Sequence, residues 1–167
     1  MKIKYDNQDK EWSKCLSDKE KQRHASQWLK KNTLDHWRHK RMLTTILPFI
    51  RKNEKWLTIG DGRYGSEANF LISKGANALA TDYSDKLLKI AKEIGFINEY
   101  KKENAESLSF KDNEFDYVLI KEALHHFPRP WIALYEAFRV CKNGVILIEP
   151  NDQITHKLNF FSKFLKK

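Results

Sequence analysis

Five polar stretches follow short apolar runs, and their residue types are those that bind or act on a small polar ligand. They lie at residues 60–65, 82–83, 104–106, 121–130 and 149–151. Glycines let a backbone approach a ligand closely, acids and amides hydrogen-bond hydroxyls and amines, and histidine titrates near neutral pH. If the apolar runs are strands of one parallel sheet, all five stretches meet at its carboxyl edge, where such sheets bind ligands.

The first stretch lies in "WLTIGDGRYG", residues 56–65, where three glycines crowd a sharp bend after an apolar run. Gly60, Gly62 and Gly65 match the pattern GxGxxG, which in dinucleotide-binding folds holds a pyrophosphate at a helix N-terminus. Asp82 ends the next apolar run, 22 residues after Gly60, where a carboxylate can accept hydrogen bonds from ribose hydroxyls. The bend and the acid together predict an adenosine-containing ligand, and the bend alone favours a dinucleotide.

Short apolar runs alternate with helical patterns through the middle of the chain. We expect strands at "KWLTIG", "NALATD", "FINEYKKEN", "FDYVLIKEAL" and "VILIEP". The unbroken apolar cores "YVLI" and "VILI" are typical of strands buried on both faces. Strands that alternate with helices predict an α/β fold with a doubly wound, mostly parallel Rossmann-like sheet and helices on both of its faces.

Helices are expected between these strands and before them. "SEANFLISKG" should close at Gly75, and "SDKLLKIAKEIG" should start at an N-cap Ser84 and end at Gly95. "WIALYEAFRVC" is the next helix, followed by a turn at "KNG". An amphipathic helix that begins at Thr33 and ends within residues 48–51 forms an N-terminal helical segment.

Residues 103–150, "ENAESLSFKDNEFDYVLIKEALHHFPRPWIALYEAFRVCKNGVILIEP", carry a more specific signal. This run resembles the core of class I S-adenosylmethionine-dependent methyltransferases, especially those acting on small molecules, and the resemblance extends over about residues 55–150. The shared features are an Ala-Glu after a polar residue, Leu-x-Phe, "FD", Leu-His-His, an "RVLKPGG"-like turn and a strand ending in Glu-Pro. The resemblance implies S-adenosylmethionine as cofactor, with S-adenosylhomocysteine as product, in place of a dinucleotide.

The resemblance also assigns residues to the cofactor. Six residues of the bend would line its methionine half: Gly60, Asp61, Gly62, Arg63, Tyr64 and Gly65. Asp82 would bind the ribose and Tyr83 would stack beside the adenine. Asn104 and Ala105, with Glu106 next to them, would meet the adenine edge. Lys121 would lie close to the methionine moiety.

This chain departs from the family pattern at three places. Thr58 stands where an acid usually precedes the first glycine, and Asn104 stands where an acid usually precedes Ala105. The pair Arg63-Tyr64 adds one residue to the bend, so the third glycine falls at position 65. These departures bear on affinity and do not indicate another cofactor.

The histidines after the fourth strand are candidates for catalysis. His125 or His126 could act as a base on a substrate hydroxyl or amine. The alternative is that the pair caps the turn and packs under the following loop. His36 and His39 have a spacing that could reach one metal ion, but no further ligand completes a site there, so we expect no metal.

Composition and charge limit the classes of partner. Residues 1–55 carry 15 Lys and Arg against 7 Asp and Glu, and so hold most of the formal charge of +9. This imbalance indicates either an anionic partner or solvated helix faces. We expect a small-molecule substrate, which could be anionic. An RNA methyltransferase is the alternative, although no base-methylating "NPPY"-like motif follows the fourth strand.

The chain is expected to form one domain, with residues 1–55 as a basic helical extension of a cofactor-binding domain at 56–167. Residues 152–167 are predicted to form a basic amphipathic helix, either a docking helix or the first part of a further segment, with a membrane-surface helix as another alternative. The last strands of the fold are expected to be missing. Cys15 and Cys141 lack a CxxC spacing, which favours free thiols in the cytoplasm, and no apolar run is long enough to span a membrane. The predicted function is methylation of a small metabolite or sugar-containing precursor, with a non-catalytic cofactor-binding fragment as a further alternative.

Overall fold

A computed structural model describes residues 32–150, together with residues 26–30, 16–18, 10 and 13. Its centre is a parallel sheet with the strand order β3-β2-β1-β4-β5. The strands are β1 (Lys55–Ile59), β2 (Asn77–Asp82), β3 (Glu99–Lys102), β4 (Phe115–Lys121) and β5 (Cys141–Ile148). The prediction of a parallel Rossmann-like sheet is therefore confirmed. The strand order reverses between β1 and β4, which places the ligand crevice at their carboxyl ends.

Helices cover both faces of the sheet. They are α1 (Leu34–Thr44), α2 (Ser66–Ser73), α3 (Lys86–Glu93) and α4 (Pro130–Val140), with 3-10 turns at Ser26–Leu29, Leu47–Phe49 and Leu124–His126. On one face, α1, α2 and α3 bury apolar side chains against Trp56 and Leu119. On the other face, α4 packs Ala133 and Ala137 against the alternate residues of β1 and β4. The sheet is thus buried on both sides, as the unbroken apolar runs indicate.

The helix ends follow the expected signals with two exceptions. The predicted end of α1 within residues 48–51 is wrong, because α1 ends at Thr44 and a separate 3-10 turn, Leu47–Phe49, follows it. The Thr33 hydroxyl accepts a hydrogen bond from the backbone N–H of His36 at 3.1 Å, so Thr33 caps α1. Gly75 and Gly95 adopt left-handed conformations just after α2 and α3. The prediction that Ser84 caps α3 is wrong, because Asp85 is the N-cap residue. The N–H of Ser84 donates instead to the Asp82 carboxylate at 2.9 Å, which draws Ser84 into the turn after β2.

The predicted turn at "KNG" is also wrong, because those residues belong to β5. The strand starts at Cys141, directly after α4. Phe115 of β4 pairs with Cys141 and Tyr117 pairs with Gly144, so β5 accommodates one extra residue at its start. A β-bulge of this kind absorbs an extra residue without interrupting the strand.

Some predictions fall on other parts of the chain. The helix predicted at residues 152–167 and Cys15 lie outside the described residues, and the division at residue 55 stays a prediction. Cys141 is a buried free thiol. Within the described residues, the helices are too short or too polar to cross a membrane.

Candidate functional site

A cleft opens at the carboxyl ends of β1, β2 and β3. Its lining residues come from four separate segments of the chain: Ile59, Gly60, Thr81, Asp82, Tyr83, Glu103, Ala105 and Phe127. Four of them belong to the predicted set, namely Gly60, Asp82, Tyr83 and Ala105. The sheet therefore brings together residues that lie up to 68 positions apart in the sequence.

The glycine bend is tied to β2 at its first glycine. The backbone N–H groups of Gly60 and Asp61 both donate to the carbonyl oxygen of Thr81, at 2.9 and 3.0 Å. Gly60 has φ +78°, and a Cβ atom there would lie 2.4 Å from the Cβ of Ala123. A side chain at position 60 is therefore excluded both by the backbone conformation and by the close approach of the loop after β4.

The Asp82 carboxylate packs directly against Gly62 of the bend. A Cβ atom on Gly62 would lie 2.8 Å from Oδ2 of Asp82, so the carboxylate rests directly against the bend. The side chain of Asp82 is almost fully buried, and its Oδ1 accepts the 2.9 Å hydrogen bond from the N–H of Ser84. Next to it, the ring of Tyr83 lies 5.7 Å below the Lys102 ammonium group. Asp82 is thus fixed in position at the point where the ribose was expected.

The extra residue of the bend is absorbed by two successive left-handed residues, Tyr64 (φ +61°) and Gly65 (φ +67°). The side chain of Tyr64 is buried in the core, edge-on to Trp28 with ring centroids 6.4 Å apart. Arg63 places its guanidinium 5.0 Å from the Trp28 ring. Both side chains thus contact Trp28, and their place at the methionine half stays a prediction.

Asp61 also has a different role from the predicted one. Its Oδ1 accepts from the N–H of Glu67 at 3.2 Å, and its Oδ2 accepts from the N–H of Ala68 at 2.9 Å. The hydroxyl of Thr58 donates to the same Oδ2 at 2.8 Å. Asp61 is thus buried and accepts hydrogen bonds from the N-terminus of α2. The hydrogen bond from Thr58 to Asp61 also bears on the missing acid at position 58, because it places the Asp61 carboxylate beside Thr58.

Lys121 is at the centre of a buried ionic cluster. Its ammonium group lies 3.0 Å from Oε1 of Glu67, 2.9 Å from Oε2 of Glu122 and 2.6 Å from Nδ1 of His39. Nε2 of His39 lies 3.3 Å from Oδ1 of Asp35. The Lys121 side chain is only 2% exposed. Lys121 therefore links β4, α2 and α1, and its contact with the methionine moiety stays a prediction.

Protonation in this cluster follows from burial and from the neighbouring charges. Burial and the nearby Glu67 carboxylate raise the pKa of Asp61 well above its ordinary value. Burial acts in the same direction on Glu67, but the hydrogen bond with Asp61 and the charge of Lys121 outweigh it and lower the Glu67 pKa. For Lys121, the charges of Glu67 and Glu122 outweigh burial and raise the pKa. Burial and Lys121 lower the pKa of His39, which keeps that ring neutral and able to accept from Lys121.

The loop after β3 has a polar framework of its own. Oδ1 of Asn104 accepts from the N–H of Glu106 at 2.9 Å, so this oxygen closes a local turn. The Glu106 carboxylate accepts from the N–H of Arg129 at 2.9 Å and from its Nε at 2.6 Å, which anchors the start of α4. Neither side chain is among those that line the cleft, and the contacts of Asn104 and Glu106 with the adenine edge stay predictions.

Glu103 lines the cleft, although it is not among the site residues predicted from the sequence. Its N–H donates to the carbonyl oxygen of Asp82 at 3.0 Å, and its carboxylate binds Lys101 at 2.8 Å and the N–H of Ser109 at 3.1 Å. The signal that could have found it is its position directly after β3, which matches the position of Asp82 at the end of β2.

The two candidate catalytic histidines lie in the turn Leu124–His126, beside the cleft residue Phe127. Both side chains are exposed, and their ring centroids are 4.0 Å apart. The alternative that the pair packs beneath the following loop is therefore wrong. Nδ1 of His125 lies 2.5 Å from Oε2 of Glu149. Among the described residues, no group of three or more potential ligands could hold a metal ion.

The residues around the cleft fit an adenosine-containing cofactor. Gly60 and Gly62 carry no side chain, which lets Ala123 and the Asp82 carboxylate of β2 approach the bend closely. Ile59, Ala105 and Phe127 provide apolar walls suited to a planar ring. A carboxylate beside a glycine bend, with apolar walls, is the arrangement that a nucleoside needs.

Comparison with known proteins also supports an adenosine-containing cofactor. The sequence model of a family described as "Methyltransferase domain" matches residues 57–148. The ubiquinone/menaquinone biosynthesis C-methyltransferase UbiE of Cronobacter sakazakii is 31% identical over 120 residues, which are 66% of this chain and 48% of that protein. Its counterpart in Pasteurella multocida is 30% identical over 128 residues, or 68% and 47% of the two chains. The chain thus spans about half the length of the curated relatives it matches.

Solved structures share the fold. A structure of SAM-dependent methyltransferases from Methanosarcina mazei superposes with a TM-score of 0.59 at 29% identity, covering 68% of this chain and 60% of that one. The PH0226 protein from Pyrococcus horikoshii gives a TM-score of 0.65 at 23% identity, covering 85% and 67%, and supports the fold alone. S-adenosylmethionine is the cofactor that the family match and the cleft both support. The chain belongs to the methyltransferase-domain family, within the class I S-adenosylmethionine-dependent methyltransferases.

Proposed function

We propose that the protein transfers the methyl group of S-adenosylmethionine to a small metabolite or a sugar-containing precursor. The observation that carries this proposal is the buried Asp82 carboxylate resting against Gly62 at the reversal of strand order. Ribose hydroxyls would donate to it at low cost, because it is already held in place by the N–H of Ser84.

The other cleft residues would hold the rest of the cofactor. Tyr83 and Ala105 would flank the adenine, and the bare backbone at Gly60 and Gly62 would take the methionine half. When bound, S-adenosylmethionine supplies an electrophilic methyl group on a sulfonium. The protein then contributes alignment and exclusion of water, together with a base where the acceptor needs one.

The acceptor would approach from the side of His125 and His126, because both are exposed next to the cleft residue Phe127. The basic N-terminal 55 residues would favour an acceptor that carries negative charge. The UbiE relatives are named as C-methyltransferases of quinone biosynthesis, so an assay of acceptors should include carbon as well as oxygen and nitrogen.

Calorimetric titration tests the cofactor. S-adenosylhomocysteine should bind the wild-type chain, whereas NAD should bind far more weakly. Asp82→Asn should weaken S-adenosylhomocysteine binding by roughly 10- to 150-fold, since hydrogen bonds to a charged group contribute about 1.5–3 kcal/mol. Asp112→Asn is the matched control, because Asp112 is 72% exposed and pairs with Arg139 in the segment that precedes β4. Tighter binding of NAD would refute the proposal.

The two alternatives have their own tests. An RNA methyltransferase should retain RNA on a filter with a strong dependence on salt, because phosphate contacts release counterions. We expect no such retention. A non-catalytic fragment should bind S-adenosylhomocysteine but transfer no label from methyl-labelled S-adenosylmethionine to any small acceptor.

A further inference from the structure

A carboxylate–histidine pair lies beside the cleft and joins the ends of β4 and β5. The two strands pair in parallel up to Lys121 and Ile148, and the N–H of Glu122 donates to the carbonyl oxygen of Ile148 at 2.7 Å. Glu149, the next residue, therefore reaches the turn that carries His125. The contact is between the chain segments that follow two adjacent strands, which are held in place by the sheet.

The Glu149 carboxylate is held at three points. Its Oε1 accepts from the N–H groups of Ala123 and Leu124, at 3.1 and 2.9 Å. Its Oε2 lies 2.5 Å from Nδ1 of His125. Because an ionised carboxylate can only accept, Nδ1 of a neutral His125 ring must carry the proton. The lone pair is then on Nε2, which has no hydrogen-bond partner among the described residues, and the side chain is 44% exposed.

We infer that His125 is the general base of the reaction, that Glu149 is its positioning residue, and that the acceptor atom is a hydroxyl oxygen. The inference rests on the proposed function and adds the class of acceptor to it. A carboxylate that fixes the tautomer and orientation of a histidine makes the opposite ring nitrogen a proton acceptor. A hydroxyl needs such a base, because its oxygen becomes strongly nucleophilic only as it loses its proton.

The step balances without any further reactant. The methyl group replaces the hydroxyl proton on the acceptor oxygen, and the sulfonium sulfur keeps the electron pair of the broken C–S bond and becomes a neutral thioether. The displaced proton passes to Nε2 of His125, where Glu149 stabilises the positive ring, and then to solvent. The titratable groups that face His125 in the described structure are Glu149, from the end of β5, and His126, in the same turn.

The tautomer can be read directly by nitrogen-15 NMR of the histidine rings, with no acceptor present. In the wild-type chain at a pH where the ring is neutral, His125 should carry its proton on Nδ1. In Glu149→Gln the amide oxygen can still accept from the two backbone N–H groups, but the amide nitrogen now faces Nδ1 as a donor. The ring should then change to the Nε2–H form. A wild-type ring protonated on Nε2, or no change in Glu149→Gln, would overturn the inference.

Binding and activity separate this inference from the proposed function. Glu149→Gln and His125→Gln should both bind S-adenosylhomocysteine within about 2-fold of wild type, because neither side chain lines the cleft. If the wild-type chain does not bind S-adenosylhomocysteine, the proposed cofactor is refuted, whereas the NMR result on the His125 tautomer is unaffected. Transfer of labelled methyl should reach a pool of sugars and phenols and should fall by roughly 10²–10⁴-fold in kcat in both variants, with little change in KM.

Three outcomes of that assay would refute the inference. Transfer that is confined to a matched pool of amines, or that reaches neither pool, would refute the hydroxyl class. A loss of rate in His126→Gln with normal rates in the His125 variant would assign the base to the other histidine. Asp112→Asn is again the control, and it should keep the wild-type rate because its carboxylate pairs with Arg139 outside the turn and the cleft.

Discussion

Replacement of Gly62 by alanine should push the Asp82 carboxylate out of position. The new Cβ would lie 2.8 Å from Oδ2 and 2.9 Å from Cγ of Asp82, whereas ordinary contacts begin at 3.4 Å. Gly62 is not among the glycines with a positive φ, so the alanine backbone itself is not strained. The whole effect should therefore come from the contact with Asp82.

The size of the effect follows from that contact. The carboxylate must move by several tenths of an ångström, and its Oδ1 is held by the 2.9 Å bond from the N–H of Ser84. Overpacking of a buried site costs about 1–3 kcal/mol in the free energy of unfolding. If the displaced carboxylate also loses its contact with the ribose, S-adenosylhomocysteine should bind roughly 10- to 150-fold more weakly.

A double-mutant cycle with Asp82→Ala isolates the contact. Urea denaturation followed by circular dichroism measures stability, and calorimetry measures the affinity for S-adenosylhomocysteine. Once the carboxylate has been removed, Gly62→Ala should cost less than about 0.5 kcal/mol in stability and should cause no further loss of affinity. Gly144→Ala is the control, because its Cβ would lie 3.9 Å from the Tyr117 ring, an ordinary distance. Equal costs of Gly62→Ala with and without Asp82 would refute the reasoning.

Three further predictions concern the supporting structure, each measured by denaturation. Gly60→Ala should destabilise the fold by on the order of 3 kcal/mol, because alanine is strained at this left-handed φ and its Cβ would lie 2.4 Å from the Cβ of Ala123. An effect no larger than that of the Gly144→Ala control would contradict this prediction. Lys121→Met should lower the free energy of unfolding by about 3–5 kcal/mol, because it leaves the buried Glu67 carboxylate without its ion-pair partner. Adding Glu67→Gln should restore more than half of the lost free energy. If it restores none, the charge of Glu67 is not the cause of the loss. The pKa of His39 is lowered from 6.5, so the stability contributed by the neutral ring is present above pH 6.5 and is lost as the pH falls. Between about pH 7.5 and 5.5, the melting temperature should therefore drop less in His39→Gln than in wild type. Equal drops in the two proteins would contradict this prediction.

The elements of the sheet could be predicted because each depends mainly on local pattern. Continuous apolar runs define β1, β4 and β5, and glycines end α2 and α3 where expected. The errors lie at boundaries that pairing decides. "KNG" has the composition of a turn, but β4 offers ladder partners to residues on both sides of it, so it is drawn into β5 with a bulge.

Side-chain roles at the site were harder to predict than positions. Asp61, Glu106 and Lys121 all lie at strand ends, as a ligand-binding residue should, yet their charged groups bind other parts of the protein. A buried charge takes the nearest good partner, and that partner is set by packing. His39 and Arg129 are far from Lys121 and Glu106 in the sequence, and no spacing rule connects them.

The sequence by itself determined the family, the succession of strands and helices along the chain, and the glycine bend with Asp82. These features depend on local residue types, because apolar runs define strands and a sharp bend requires glycine. Only the tertiary structure decided which groups each polar side chain contacts. The sheet sets Asp82 against Gly62 and Glu149 against His125, while it pairs Asp61 with the start of α2 and Lys121 with Glu67. The physical reason is that hydrogen bonds and ion pairs act over a few ångströms, and only the folded chain determines which groups come that close.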